Sequence, residues 1–261
     1  MQIGILDSIP PLASASNPGD ATRVLEEWRM NAADASQAFL SIAAHPATRA
    51  ILEASAGNSP YLAQLLIKHP LVYASFAEHG PNHTLAGIID GLHHEAFKGL
   101  PLAECMKKLR IAKQQSALVV ALADMTGVWD VPTVTRQLSV FAQAALGMAT
   151  YWLLDQATRK GELAPRVVET PETQSGIIVL GMGKLGAYEL NYSSDIDLMF
   201  LFDREGTTQG GRMHLSAGEF FAKLSAEVIR LLAAPSDAGA GYRVDLRLRP
   251  DGGKGPVARD L

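Results

Sequence analysis

Asp195 and Asp197 stand two residues apart at the start of an apolar run, Ile196 to Phe202 (IDLMFLF). On a strand, residues i and i+2 point to the same side, so the two carboxylates are presented together. Ile196, Leu198, Phe200 and Phe202 then turn to the other side, into a core. Paired carboxylates repel unless a cation lies between them. Mg²⁺ is a hard ion that is usually held by one or two carboxylates plus substrate phosphates. A third acid fits the pattern. In YRVDLRLR, residues 242–249, strict alternation places Tyr242, Val244, Leu246 and Leu248 on one face. Arg243, Asp245, Arg247 and Arg249 take the other face. If this strand lies beside the Asp195–Asp197 strand, Asp245 joins the pair. Three acids can hold two metals that clamp the attacking and leaving oxygens of an in-line displacement at phosphorus. The arginines would neutralise phosphate charge. Upstream, GMGKLG (Gly181–Gly186) leaves backbone N–H groups free to approach a phosphate, and Lys184 adds a point charge. The chemistry indicated is metal-assisted phosphoryl or nucleotidyl transfer.

Other readings compete for the same residues. Gly181, Gly183 and Gly186 match G-x-G-x-x-G after a strand, and Asp203 follows at the end of the next strand, as in a dinucleotide-binding fingerprint. Only AYELNYSS separates Gly186 from Asp195, which is short for the helix of a parallel crossover. Ala187-Tyr188 stand where a Walker loop needs Lys-Ser/Thr, so the turn is not a P-loop. A D-x-D pair alone is more often a solvated turn, and Asp245 among arginines fits a cross-strand ion-pair ladder. The ordered combination of strand, Gly turn with Lys, D-x-D strand, helix and Arg-Asp-Arg strand favours the transfer chemistry.

The elements that must position these residues differ along the chain. Residues 1–160 read as a helical segment rich in Ala and Leu. Asp20 caps a helix through ATRVLEEWRM. Ser59-Pro60 opens YLAQLLIKH, which Pro70 stops. Pro101 opens a long helix ending near Gly127, and Asp130-Val-Pro opens another running to about Arg159 and ended by Gly161. Residues 161–175 (GELAPRVVETPETQS) read as a linker. Residues 176–261 read as α/β in texture: Gly176–Gly181 and Ile196–Phe202 as buried strands, Tyr242–Leu248 as a third. Between the last two, Ser216 and Glu219 form a capping box for a helix with Phe220, Leu224, Val228 and Leu231 on one face, stopped by Pro235.

Composition bounds the alternatives. The 261 residues carry 23 basic and 27 acidic side chains, a net charge of -4. That excludes a bulk polycation for nucleic acid or membrane, so neither is expected as a partner. The single cysteine, Cys105, makes neither an internal disulfide nor a Cys-rich zinc site, and secretion is not indicated. The first residues do not read as a signal peptide. No apolar stretch in the first half approaches the ~20 residues of a membrane helix, which leaves a cytoplasmic protein. His93-His94 lie about 100° apart on a helix and read as surface or capping groups. Cys105, Trp28, Trp129 and Trp152 read as core, and residues 203–214 as a polar loop.

GMGKLGAYELNYSSDIDLMFLFD followed by YRVDLRLRPDGGKGP resembles the nucleotidyltransferase module of the glutamine-synthetase adenylyltransferase/deadenylyltransferase family. The likeness is strong over about residues 176–258. The helical region, including SPYLAQLLIKHP, is similar to the family's N-terminal segment. The resemblance implies an α+β protein whose helical segment precedes a polymerase-β-like nucleotidyltransferase core with a mixed sheet. It implies the N-terminal of two modules, the one that removes AMP from a glutamine synthetase tyrosine by phosphorolysis and yields ADP, in nitrogen regulation. Adenylylation from ATP belongs to the second module, and a non-catalytic fragment that binds nucleotide or glutamine synthetase is a further alternative. Asp195, Asp197 and Asp245 match the metal-binding acids, with Mg²⁺ as the cofactor. Gly181, Gly183 and Lys184 match the phosphate loop, and Ser194, Arg247 and Arg249 are the further candidates for binding nucleotide and phosphate. PII signalling protein is implied as a regulator. Further helices and a second module are expected beyond Leu261, which makes this core incomplete at its C-terminus and the chain a fragment or short form. Ala187-Tyr188 depart from the Gly-Gly or Gly-Arg that commonly follows K-L-G in the family.

Overall fold

Among the described residues, prolines open four of the first five α-helices. The structure, a computed structural model, describes residues 4–31, 37–163, 172, 175–203, 215–248 and 255–261. Helices α1 (Pro18–Asn31), α3 (Pro46–Asn58), α4 (Pro60–Lys68) and α5 (Pro70–Asp90) each begin on a proline, with α2 (Gln37–Ala44) between the first two. Proline suits the first helical position because the missing N–H would have no intrahelical partner there. Inside α5, Pro81 follows the non-helical Gly80 and kinks the helix. The chain divides into two compact units, Met1–Asp90 with Ala112–Val134 and Gly91–Ile111 with Thr135–Leu261.

The first unit is helical. Helix α1 packs on α3 and α3 on α4. Val24, Trp28, Ile51, Leu52, Leu66, Tyr73 and Phe76 are buried in it. The Trp28 ring meets Tyr73 edge-on, with centroids 5.5 Å apart. Ser59 Oγ caps α4 by accepting from the Leu62 N–H at 3.3 Å, as its spacing predicts. Helix α1 differs from expectation. It opens at Pro18, and Asn17 Oδ1 accepts from the Asp20 N–H at 3.3 Å. Asp20 is therefore a first-turn acid favoured by the helix dipole rather than the cap.

The second unit holds the short α6 (His94–Phe97), the first part of α7 (Leu102–Met125) and most of α8 (Val131–Arg159). It also holds β1 (Ile177–Met182), the one-turn α9 (Gly183–Gly186), β2 (Ile196–Phe202), α10 (Ala217–Ala233), β3 (Val244–Asp245) and β4 (Ala258–Asp260). His93 caps α6, its Nδ1 accepting from the Ala96 N–H at 3.3 Å. Cys105 and the three tryptophans are buried, as their apolar settings require. Asp130 caps α8 through the Thr133 N–H at 3.0 Å. The expected linker falls largely outside the described residues.

The sheet is mixed. β1 pairs antiparallel with β2, and β2 pairs parallel with both β3 and β4. The protein is thus α+β. Antiparallel pairing of β1 and β2 overturns the dinucleotide-fold alternative, which needs a parallel crossover between those strands. In β2 the alternation holds: Ile196, Leu198, Phe200 and Phe202 are buried, and the residues between them are half-buried. Helix α10 covers the buried face, Phe221 stacking on Phe202 with centroids 5.3 Å apart. The third strand is shorter than expected, two residues rather than seven. Asp245 Oδ1 accepts from the Arg247 N–H at 2.8 Å, so a side chain turns the backbone away from the ladder. Leu248, placed by alternation on the apolar face, is exposed. Among the described residues no helix is long and apolar enough to cross a membrane.

Candidate functional site

β2 starts where the Ile196 N–H donates to the Arg243 carbonyl at 2.9 Å. That bond sets a parallel register in which Ile196 faces Val244 and Asp197 faces Asp245. Residues opposite each other share a face, so Asp197 and Asp245 lie side by side, turned from the Ile196–Leu198 core. Asp195 precedes the strand by one residue. Its Oδ1 accepts from Arg243 Nε at 2.5 Å, and Arg243 Nη2 also donates to the Ser193 carbonyl. Asp245 Oδ2 accepts from Arg247 Nε at 2.7 Å, with Nη2 at 2.6 Å. Two of the three acids are each engaged by an arginine.

Asp197 is different. It accepts no hydrogen bond from a described side chain. Its carboxyl is held above the usual range, first by partial burial and then by the negative charges of Asp245 and Asp195, with Arg247 pulling the other way. Asp245 moves in the opposite direction. The Arg247 side chain, then its backbone N–H, holds the Asp245 carboxyl below the usual range. The Arg247 guanidinium is raised in return. Neighbouring acids on one face thus carry opposite shifts, one set by burial and like charge and the other by its arginine.

The glycine turn is pressed against this face. Gly183 has φ +53°, and a Cβ there would lie 2.6 Å from Asp197 Oδ2. Only glycine fits. Gly186 backs against the Gly181 carbonyl, which closes the turn. Tyr188, just beyond, has φ +59°, a left-handed conformation in a non-glycine residue. Its hydroxyl donates to Gln143 Oε1 at 3.1 Å, and the Arg136 guanidinium sits 5.3 Å from its ring centre. The left-handed backbone at Tyr188 is thus accompanied by two side-chain contacts.

The structure brings together Gly183, Asp195, Asp197, Asp245 and Arg247 from the residues singled out in sequence. Gly181 lies in β1, in register with Leu198. Lys184 is exposed on the turn, and Ser194 is half-buried just before Asp195. Neither bonds to the acids through its side chain. Arg249 lies outside the described residues. Arg243 is the addition: alternation placed it on the polar face, but only the fold shows that it holds Asp195. The carboxylate oxygens of these acids suit a hard divalent cation, and among the described residues Asp197 has no cationic hydrogen-bond partner of its own. As they stand, with Asp195 and Asp245 on arginines, no three acidic, His or Cys side chains among the described residues converge closely enough to hold a metal. A cavity of about 550 Å³ lined by Met106, Trp152, Phe220 and Leu224 is bordered by none of the three acids.

A mixed sheet with a glycine turn on one edge and three acids gathered at its strand ends defines an α+β protein with an acidic site. The family described as glutamate-ammonia ligase adenylyltransferase matches residues 50–261, and the chain belongs to it. It is 38% identical over 242 residues to a bifunctional glutamine synthetase adenylyltransferase/adenylyl-removing enzyme of Bradyrhizobium sp. strain BTAi1, covering 92% of this chain and 24% of that protein. The enzyme of the same description from Xanthobacter autotrophicus is 40% identical over 213 residues, covering 82% of this chain and 21% of its own length. That of Rhodopseudomonas palustris strain BisB5 is 34% identical over 261 residues, 96% of this chain and 26% of its own. The chain spans about a quarter of the length of these relatives.

Proposed function

We propose that residues 176–261 form a nucleotidyltransferase core that removes AMP from an adenylylated tyrosine of glutamine synthetase by phosphorolysis. The carrying observation is the parallel register that sets Asp245 opposite Asp197, with Gly183 against the Asp197 carboxylate. Family membership supports glutamine synthetase as the protein substrate and a nucleotide as the group moved. An oxygen of inorganic phosphate forms a bond to the AMP phosphorus. The bond from phosphorus to the tyrosine oxygen breaks, and that oxygen takes up a proton. The products are ADP and free tyrosine. Asp195, Asp197 and Asp245 would hold Mg²⁺, which when bound supplies charge stabilisation at the attacking and leaving oxygens. Arg247, released from Asp245, and Arg243, released from Asp195, would then face phosphate rather than carboxylate. The turn at Gly181 and Gly183 lets backbone approach the phosphate, with Lys184, Ser194 and Arg249 beside it. Regulation by PII signalling protein and a cytoplasmic location belong to the same reading.

The test mixes the purified chain with adenylylated glutamine synthetase, phosphate and Mg²⁺. ADP release is expected, falling at least about 10³-fold in Asp197→Asn. AMP-tyrosine formed from ATP and unmodified glutamine synthetase would reverse the direction. Tight binding of adenylylated enzyme with no turnover either way would make the chain a binding module.

A further inference from the structure

Helix α10 ends against a buried cation. Arg110, on α7, is 2% exposed. Its Nη2 donates to the carbonyls of Leu231 at 2.8 Å and Ala234 at 2.7 Å. The last carbonyls of a helix have no intrahelical partners and must find others. Here Arg110 takes that of Leu231, and the Tyr242 N–H takes that of Leu232 at 2.9 Å. The guanidinium also sits at the negative end of the helix dipole, which offsets part of its burial. No acid pairs with it among the described ion pairs, and its Nε has no hydrogen-bond partner.

The chain leaving α10 turns at Ser236–Gly239 and comes straight back to this cation. A Cβ on Gly241 would run into the Leu232 carbonyl and lie 2.7 Å from Arg110 Nη2, so the backbone there passes at the closest approach glycine allows. Tyr242 then bonds to Leu232, the Arg243 carbonyl accepts from Ile196, and Asp245 falls into register with Asp197. One side chain thus touches the end of α10 and the segment that becomes β3. The planar guanidinium can serve two carbonyls in a fixed geometry, which an ammonium on a flexible stem does less well.

We propose that Arg110 is the positioning residue for Asp245: by fastening the last turn of α10 to residues 241–242 it sets the register that places Asp245 opposite Asp197. Its functional consequence rests on the acids forming the transfer site proposed above. A cap that only adds stability would loosen the whole unit when removed. A positioning residue loosens β3 first.

The experiment follows amide hydrogen exchange in the full chain for wild type, R110M and R110K. The reporters are the amides of Tyr242 and Ile196, which bond across this junction, and the control is the amide of Asp203, which donates to Gly176 at 2.7 Å on the β1 side. In R110M, exchange at Tyr242 and Ile196 rises about tenfold or more while Asp203 stays within about twofold of wild type. R110K restores part of the protection. Binding of Mn²⁺, as a probe of the acids, weakens about tenfold in R110M and less in R110K. Unchanged exchange at Tyr242 and Ile196, or an equal rise at all three amides, overturns the proposal. If R110M does not fold, the same comparison is made with R110K and R110Q, and unaltered Tyr242 protection in both overturns it. If wild type binds no Mn²⁺, the reading of the acids as a metal-holding site fails, while the exchange data still decide the role of Arg110.

Discussion

Both units carry long polar contacts, but these join different things: helices in the first, as where Trp129 Nε1 donates to Asn82 Oδ1 at 3.1 Å, and the segments of the acidic site in the second. In the first, buried hydroxyls serve their own neighbourhood: Ser55 donates to the Ile51 carbonyl at 2.7 Å, Thr84 to Gly80 at 2.9 Å and Thr48 to Ile42 at 2.6 Å. These bonds reach no more than six residues. In the second unit the informative contacts are long. Arg243 reaches Asp195, Ser139 Oγ accepts from the Leu190 N–H at 3.1 Å, and Arg110 reaches Leu231. Local bonds make helices. Long ones hold separate segments in one register, which a site assembled from several strands requires.

Glycines test this contrast most strongly. Gly183 is left-handed, with Asp197 in the space a Cβ would fill. Gly183→Ala is expected to cost about 1–2 kcal/mol for its conformation. Displacing Asp197 is expected to lower ADP release about 100-fold. Gly87, in α5 of the first unit, is exposed, and a Cβ there meets nothing within 4 Å. Gly87→Ala is expected to raise stability by about 0.5–1 kcal/mol. Thermal melts of both variants, with the phosphorolysis assay, check the pair. Full activity in Gly183→Ala would remove the glycine turn from the site.

The same contrast explains what was legible in the sequence. Alternation over Ile196–Phe202 fixed which side of β2 carries Asp197, because a period of two admits one buried face. Ser216 with Glu219, and Ser59 before Pro60, marked helix starts because caps act within three residues. The same rule misplaced the start of α1, where Asn17 and Asp20 are both competent caps three residues apart. The third strand is shorter than its alternation because the pattern says nothing of a side chain that competes with the ladder, as Asp245 does for the Arg247 N–H. Asp245 still stands opposite Asp197 in the parallel register. Arg110 could not be found this way. It lies in an Ala- and Leu-rich helix, and its partners are more than a hundred residues on.

Tyr188 offers a smaller effect. Its left-handed backbone is offset by the hydroxyl bond to Gln143 and the contact with Arg136. Tyr188→Ala keeps the strain and loses both contacts, and is expected to destabilise by about 1–2 kcal/mol. Tyr188→Gly loses the contacts and relieves the strain, so it should melt above Tyr188→Ala. The opposite order in thermal melts would show that the strain is negligible and the side-chain contacts dominate.

Helix caps carry the finest version of the comparison. The α4 cap in the first unit is a hydroxyl, and Ser59→Ala is expected to cost about 1 kcal/mol at every pH. The α10 cap in the second unit adds a carboxylate. Glu219 Oε2 accepts from the Ser216 N–H at 2.8 Å, and Ser216 Oγ accepts from the Glu219 N–H at 3.3 Å. The Ser216 N–H, then its hydroxyl, holds the Glu219 carboxyl below its ordinary range. A depressed folded value means that ionised Glu219 favours the fold. That contribution is complete above the unfolded value of about 4.3 and is lost as pH falls through the lowered folded value. Glu219→Gln keeps a capping acceptor without the charge. Its Tm should therefore lie below wild type near neutral pH, with the gap closing in acid, while the Ser59→Ala gap stays constant. Parallel curves for Glu219→Gln and wild type across that range would show that the α10 cap works as a neutral hydrogen bond, like the one on α4.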